Sequence, residues 1–281
     1  MSIFMAIFLG IVQGVAEFLP ISSSGHLAIF QNLFNMNYNE DNHLFFEVLL
    51  HLGTLISIIF VYRKDISEMI RDALYYLRMK SDSNDDEPIV LKPAGRTLLF
   101  IIIGTLPLLI ALVFSSAVSS LFFNMLFIGF ALIITGSLLF VSSRYIKPGT
   151  KTGKTMTVVD AIVIGLAQAV AVLPGLSRSG TTISVGLTRG LSSSFAVKFS
   201  LLLSIPAVLG ATLITFLRAV INGIDFGLLP AYLIGFVFAT GIGFLAIQIL
   251  RRVIAKDNLG YFSYYCWIVG AITIIWSFFR M

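Results

Sequence analysis

The chain has 281 residues, 57% of them hydrophobic and only 12% charged, with a formal net charge of +5. An average soluble domain carries about 25% charged residues, so an ordinary soluble enzyme, a disordered regulator and a disulfide-stapled secreted module are excluded. With one cysteine, Cys266, there is no intramolecular disulfide and no Cys-rich metal site, and the fold class read from composition is an all-α polytopic membrane protein, a single integral domain over 1–281.

The first element, about 1–36, is apolar but broken at Leu19-Pro20-Ile21-Ser22-Ser23-Ser24-Gly25. No Lys or Arg precedes it, so it lacks the basic start of a signal peptide and reads as mature structure. Stretches at about 44–62, 97–114 and 123–143 follow, each long enough to cross a bilayer, which takes about 17–25 residues. Between the first two lies 63–96, a basic segment with an acidic run from Asp82 to Glu87, read as a solvated loop. A second basic loop covers about 144–156. Its Pro148-Gly149-Thr150-Lys151-Thr152-Gly153-Lys154-Thr155 imitates a phosphate-binding loop, but that motif needs glycine where Pro148 stands and a strand before it. A second broken segment, about 157–190, is interrupted at Leu173-Pro174-Gly175-Leu176-Ser177-Arg178-Ser179-Gly180, and spans at about 195–219, 229–250 and 259–279 complete the chain. Pro, Gly and Ser at mid-length free backbone groups that lipid cannot satisfy, so broken segments must be buried in protein or line a wet cavity. Both are predicted to be re-entrant helical hairpins beside six transmembrane helices.

Charge placement tests the count. Of 19 Lys and Arg residues, seven lie in 63–96, four in 144–154 and three in 251–256, whereas 37–43, 115–123 and 219–229 contain none. The positive-inside rule puts the first set of loops in the cytoplasm. With six spans, the hairpin at 1–36 then begins and ends outside and the one at 157–190 begins and ends inside. The sequence repeats accordingly: Gly10–Gly25 and Gly165–Gly180 are identical at 7 of 16 ungapped positions, including Gln13 with Gln168 and Ser22-x-Ser24-Gly25 with Ser177-x-Ser179-Gly180. This predicts an inverted-topology repeat, about 1–143 against about 157–281, with its site where the two broken segments meet.

The chief ionisable residues at membrane depth are Glu17, His26, Glu47, His51, Asp160, Arg178 and Arg189. A charge at the centre of a spanning helix costs about 2.5–3.5 kcal/mol on insertion scales, so each needs a partner or a chemical role. The plain reading is a structural Glu17–Arg178 pair locking the hairpins together. The neighbours suggest more. Ser22, Ser23, Ser24, Ser177, Ser179, Thr181 and Thr182 surround the charges, and such loops leading into a helix N-terminus make an anion cradle. Arg178 adds a planar fork suited to phosphate oxygens. Glu17, with Gln13 one turn earlier on the same face, offers oxygen ligands to a divalent cation, Mg²⁺ or Ca²⁺. Ser23 and His26 are candidates for nucleophile and proton carrier. Glu47 and His51 stand one turn apart near the first hairpin; Glu47 is taken as functional and His51 as a packing residue.

Gln13-Gly14-Val15-Ala16-Glu17 through Ser22-Ser23-Ser24-Gly25-His26, and Pro174-Gly175-Leu176-Ser177-Arg178-Ser179-Gly180-Thr181-Thr182, resemble the two signature motifs of the bacterial undecaprenyl-diphosphate phosphatases. These are also called bacitracin-resistance phosphatases. Phe46-Glu47-Val48 and His51-Leu52-Gly53-Thr54-Leu55 resemble the family segment between the motifs. The likeness covers essentially the whole chain; where many members carry two acids in the first motif, Gln13 here leaves one. The resemblance implies hydrolysis of undecaprenyl diphosphate to undecaprenyl phosphate, recycling the lipid carrier of cell-wall synthesis. It also implies a divalent cation, and a site on the extracytoplasmic side of the bacterial cell membrane. It assigns Glu17 and Gln13 to metal and diphosphate, Ser23 to nucleophile, and His26 to competing nucleophile or general acid/base. Arg178 becomes the phosphate clamp and Glu47 a supporting acid, while Ser22, Ser24, Ser177, Ser179 and Thr182 line the phosphate. The expected partners are a polyprenyl diphosphate lipid and the bilayer, with no nucleic acid; a homodimer is compatible with such a chain. The rival function is a transporter or flippase for a polyprenyl phosphate lipid or phosphorylated solute.

Overall fold

A computed structural model of the chain describes residues 2–34, 41–82, 91–147, 149–222, 226–256 and 258–280. Its regular structure is helical: α1 (Ile3–Phe18), α2 (Ser23–Leu33), α3 (Asp41–Val61), α4 (Arg63–Asp82), α5 (Pro93–Thr105), α6 (Leu108–Val113), α7 (Ser115–Leu121), α8 (Met125–Tyr145), α9 (Val158–Val170), α10 (Arg178–Thr188), α11 (Ser193–Asn222), α12 (Leu229–Ala255) and α13 (Gly260–Arg280). Among the described residues, five stretches are long and apolar enough to cross a membrane: Pro93–Val113, Met125–Tyr145, Ser193–Leu217, Leu229–Ala255 and Gly260–Phe279. A sixth is counted if the pair Phe45–Val61 and Arg63–Arg78, bent by 75°, is one span.

Two segments read as loops turn out helical. Within 63–96, Ile66, Met69, Ala73 and Tyr76 recur at helical spacing, which gives α4 an apolar stripe; Met69 is buried and α4 packs on α5. High charge masked this amphipathic helix. The acidic residues of 83–87 lie outside the described residues. The stretch 115–123 holds α7, and the span before it is interrupted where Pro107, which has no N–H, follows the end of α5.

Small residues set the packing. Ala6, Gly10 and Gly14 on α1 face Gly235, Ala239 and Gly243 on α12, both at intervals of four: a Cβ on Gly10 would come within 2.6 Å of the Gly235 carbonyl oxygen. Such stripes let two apolar helices approach backbone to backbone. α8 and α13 meet in the same way through Gly129 and Gly270. The contacts are exchanged between the two halves of the chain. α1, the first helix of the early half, packs on α12, and α9, the first helix of the late half, packs on α5; α3 also packs on α11 and α8 on α13. The turns after α1 and α9 are thereby pressed together, Gly25 against the backbone of Gly175, whose φ of 90° suits glycine.

Candidate active site

Glu17 sits at the end of α1, where Leu19-Pro20 stops the helix and the chain doubles back into α2. Ser22 caps α2: it takes a φ of 72°, rare for a residue with a side chain, and its Oγ accepts from Gly25 N at 3.2 Å. That turn aims Ser23 back at α1, and its hydroxyl donates to Glu17 Oε2 at 2.7 Å. Gln13 Nε2 donates to the same oxygen at 3.1 Å from one turn earlier, the i, i+4 geometry of a shared helix face.

The second turn is built alike. Ser177 caps α10, accepting from Gly180 N at 3.1 Å, and its Oγ lies 3.3 Å from Ser179 Oγ, as Ser22 Oγ lies 3.3 Å from Ser24 Oγ. Thr135 on α8 props this turn, accepting from Ser177 N at 3.0 Å and donating to Gly175 O at 3.2 Å. Arg178 opens α10, and its guanidinium reaches Glu17 Oε1 across 161 residues of chain while also donating to Ser204 O on α11 at 3.3 Å. Arg178 thus joins the two turns. Its side chain keeps 20% of its surface exposed, against 5% for Glu17, so the guanidinium is the partner with a face toward open space.

That space is a cavity of about 590 Å³. Glu17, Ser22, Ser23, Ser24, Ser177 and Arg178 line its polar end; Leu108, Leu109 and Leu112 of α6, Val118 and Phe122 at α7, and Ile214 of α11 line its apolar wall. His51 and Gln168 also reach it. The remaining candidates lie elsewhere. His26 holds the Ser22 carbonyl through Nδ1 at 2.7 Å and the Tyr265 hydroxyl through Nε2 at 2.8 Å, its ring stacked on that of Tyr265. Glu47 accepts from Gln31 Nε2 at 2.7 Å, and its backbone carbonyl takes His51 Nδ1 at 2.8 Å, so of that pair the histidine faces the cavity. Thr182 Oγ1 bonds to Arg178 O and to Ser200 on α11, and Ser179 Oγ bonds to Leu19 O between the turns. Gln13 is fully buried behind Glu17.

Sequence reasoning did not select Gln168, Thr135, Ser204 or Tyr265, and it read His51 as packing. The repeat carried a signal for Gln168, which aligns with Gln13. Tyr265 lies 239 residues from His26 on an apolar helix, and nothing local marks it.

A second, larger cavity of about 990 Å³ lies at the other end of α11, lined by Arg63, Lys64, Lys198, Arg251 and Arg252. Nearby, Asp160 is fully buried and paired with Lys151 at 2.9 Å and Arg189 at 2.8 Å; this ties the basic loop to the helices and accounts for Asp160 and Arg189 without a catalytic role.

The model of a protein family described as bacitracin resistance protein BacA matches residues 6–272. Among curated relatives, an undecaprenyl-diphosphatase of Methanobrevibacter smithii is 43% identical over 279 residues, covering 99% of this chain and 98% of its own. The protein of that name from Alkaliphilus metalliredigens is 41% identical with 99% of both chains covered, and the one from Carboxydothermus hydrogenoformans is 39% identical with 98% and 97% covered.

Proposed function

The chain belongs to the bacitracin resistance protein BacA family, and on that premise we propose that it hydrolyses undecaprenyl diphosphate to undecaprenyl phosphate and inorganic phosphate. The observation that carries the reading is Glu17, with the Ser23 hydroxyl on one carboxylate oxygen and the Arg178 guanidinium on the other. A carboxylate hydrogen-bonded to a hydroxyl beside an arginine is a base, a nucleophile and a phosphoryl clamp within one cluster.

The terminal phosphate enters the polar end of the cavity and draws the Arg178 guanidinium onto its oxygens. The Glu17 carboxylate is then freed to receive the Ser23 proton as Ser23 Oγ attacks the terminal phosphorus. The Oγ–P bond forms, the bridging P–O bond breaks, and undecaprenyl phosphate leaves with the electron pair and the proton that Glu17 held. In the second step water attacks the phosphoserine, Glu17 takes the water's proton and returns it to Ser23 Oγ as the P–Oγ bond breaks. Arg178 offsets the charge on the transferring group in both steps, the largest contribution in such chemistry. His26 has both ring nitrogens engaged, by Ser22 O and Tyr265, which suits holding the strained Ser22 turn better than attacking phosphorus.

A divalent cation fits beside this cluster. Gln13 Oε1 is buried and meets no hydrogen-bonding group among the described residues, so Gln13 and Glu17 would hold Mg²⁺ or Ca²⁺. When bound, the cation supplies Lewis-acid neutralisation of diphosphate charge.

The prenyl tail lies along Leu108, Leu109 and Leu112, of which Leu109 and Leu112 are exposed at the surface of the bundle, so only the headgroup leaves lipid. α1 and α9 have 16 and 13 residues, about 24 and 20 Å at 1.5 Å per residue, too short for the ~30 Å hydrocarbon core. With the exchanged packing of the two halves, this supports re-entrant hairpins entering from opposite faces beside six spans. Loop charge supports a serine-rich cavity that opens on the extracytoplasmic side of the cell membrane, where the product would re-enter the carrier cycle of cell-wall synthesis. The test is phosphate release from undecaprenyl diphosphate by the purified full chain. No release, with binding and flipping of the lipid instead, would support the carrier reading and overturn this one.

A further inference from the structure

Gln168 on α9 is 1% exposed and lines the cavity that holds Glu17, Ser23 and Arg178. Neither its Nε2 nor its Oε1 meets a hydrogen-bonding group among the described residues. The sequence explains why. Gln168 corresponds in the repeat to Gln13, whose Nε2 is occupied by Glu17 four residues on; four residues after Gln168 stands Val172, whose side chain has no acceptor. The late half of the chain therefore carries the amide without its carboxylate.

Leaving a buried donor or acceptor unpaired is costly, and an apolar side chain of the same shape would remove the cost. Two such atoms on one side chain, at the wall of a cavity already holding an arginine and hydroxyls, are suited to a ligand. Nε2 donates and so needs an anion or carbonyl oxygen; Oε1 accepts and so needs an O–H. A phosphate group supplies both, through its ionised oxygens and a protonated oxygen or bound water. We propose that Gln168 is a substrate-contacting residue, donating through Nε2 to an oxygen of the diphosphate in the cavity that it shares with Glu17. This rests on the phosphatase reading of the cavity. The catalytic pair on α1 and α2 would then be matched by a binding amide on α9, so each broken segment contributes to holding the headgroup.

The experiment uses the purified full chain, Gln168→Met as a near-isosteric variant without hydrogen-bonding groups, and Gln168→Glu, which keeps the shape but loses the donor. Three readouts are taken: thermal unfolding alone, the thermal shift produced by inorganic pyrophosphate, and kcat and KM for undecaprenyl diphosphate. The expected result for Gln168→Met is an unfolding midpoint no lower than wild type, loss of most of the pyrophosphate shift, and kcat/KM reduced about 10- to 100-fold, as for a lost hydrogen bond to a charged group. Gln168→Glu should lose the shift as well. A midpoint clearly below wild type with kcat/KM intact would make Gln168 a packing residue and overturn the proposal, as would an undiminished pyrophosphate shift in both variants. Because the shift needs no turnover, it separates the two claims. A wild-type chain that pyrophosphate stabilises but that releases no phosphate from the lipid would remove the phosphatase reading, with the Gln168 contact still decided by the shift in the variants.

Discussion

Replacing Arg178 by Met, of similar length but uncharged, should have two effects that can be measured apart. The first is on the fold. Arg178 is the ion-pair partner of Glu17, whose side chain is 5% exposed, and breaking a buried pair from one side costs about 3–5 kcal/mol because the remaining charge is left unpaired. The Ser204 carbonyl loses its donor at the same time. The second effect is on the rate. An arginine that neutralises a transferring phosphoryl group contributes about 10³–10⁵ in kcat, or roughly 4–7 kcal/mol of barrier. Arg178→Met should therefore unfold at a lower temperature and release phosphate at least about 10³-fold more slowly, with Arg178→Lys also poor because a point charge lacks the planar fork. Glu17→Gln combined with Arg178→Met removes both charges, and a buried pair replaced as a whole is close to neutral for stability. The double variant should recover most of the lost thermal stability and none of the activity. Phosphate release and thermal unfolding on the four proteins check this. A folded Arg178→Met chain within tenfold of wild-type turnover would refute the clamp, and a double variant less stable than Arg178→Met would refute the pairing.

The nucleophile is tested by Ser23→Ala and His26→Ala. The serine variant should be the more damaged, and any trapped phosphoryl-protein should survive acid as a phosphoserine does; an acid-labile, base-stable adduct would move the role to His26. Gln13→Glu should lower the Mg²⁺ or Ca²⁺ concentration needed for half-maximal rate, and Gln13→Ala should raise it, because the first adds negative charge beside Glu17 and the second removes a ligand. A cation titration identical in all three proteins would take Gln13 out of the metal site. Topology is read by single-cysteine labelling in a Cys266→Ser background, where serine keeps the donor that Cys266 Sγ directs at Pro20 O, 3.7 Å away. Ser120→Cys should react with an impermeant reagent from outside intact cells and Lys154→Cys should not. The reverse pattern would invert the orientation.

Much of the site was legible because the chemistry clusters in sequence. Glu17, Ser22, Ser23 and Ser24 lie within eight positions, Ser177 to Thr182 within six, and a polar break in an apolar segment has to be enclosed by protein. The i, i+4 relation of Gln13 to Glu17 fixed their common helix face. Adjacent positions were harder to sort. Glu47 and His51 share a face, and which one reaches the cavity depends on Gln31, which engages the Glu47 carboxylate. The α4 stripe was hidden because charges are interspersed among its apolar residues all along the segment, although their spacing was helical.

Local sequence was enough to specify the kind of each segment: apolar runs became helices, five of them long enough among the described residues to cross a membrane, and the hydroxyl-rich breaks became capped turns. Which groups meet is a matter of packing between segments far apart in the chain. Arg178 reaches Glu17 because the α1–α12 and α9–α5 glycine and alanine contacts bring the two turns together, and His26 is directed toward Tyr265 because α13 lies beside α8. Helical periodicity specifies a face and never a partner, and the partner across 161 residues is set by how closely the small-residue stripes allow the backbones to approach.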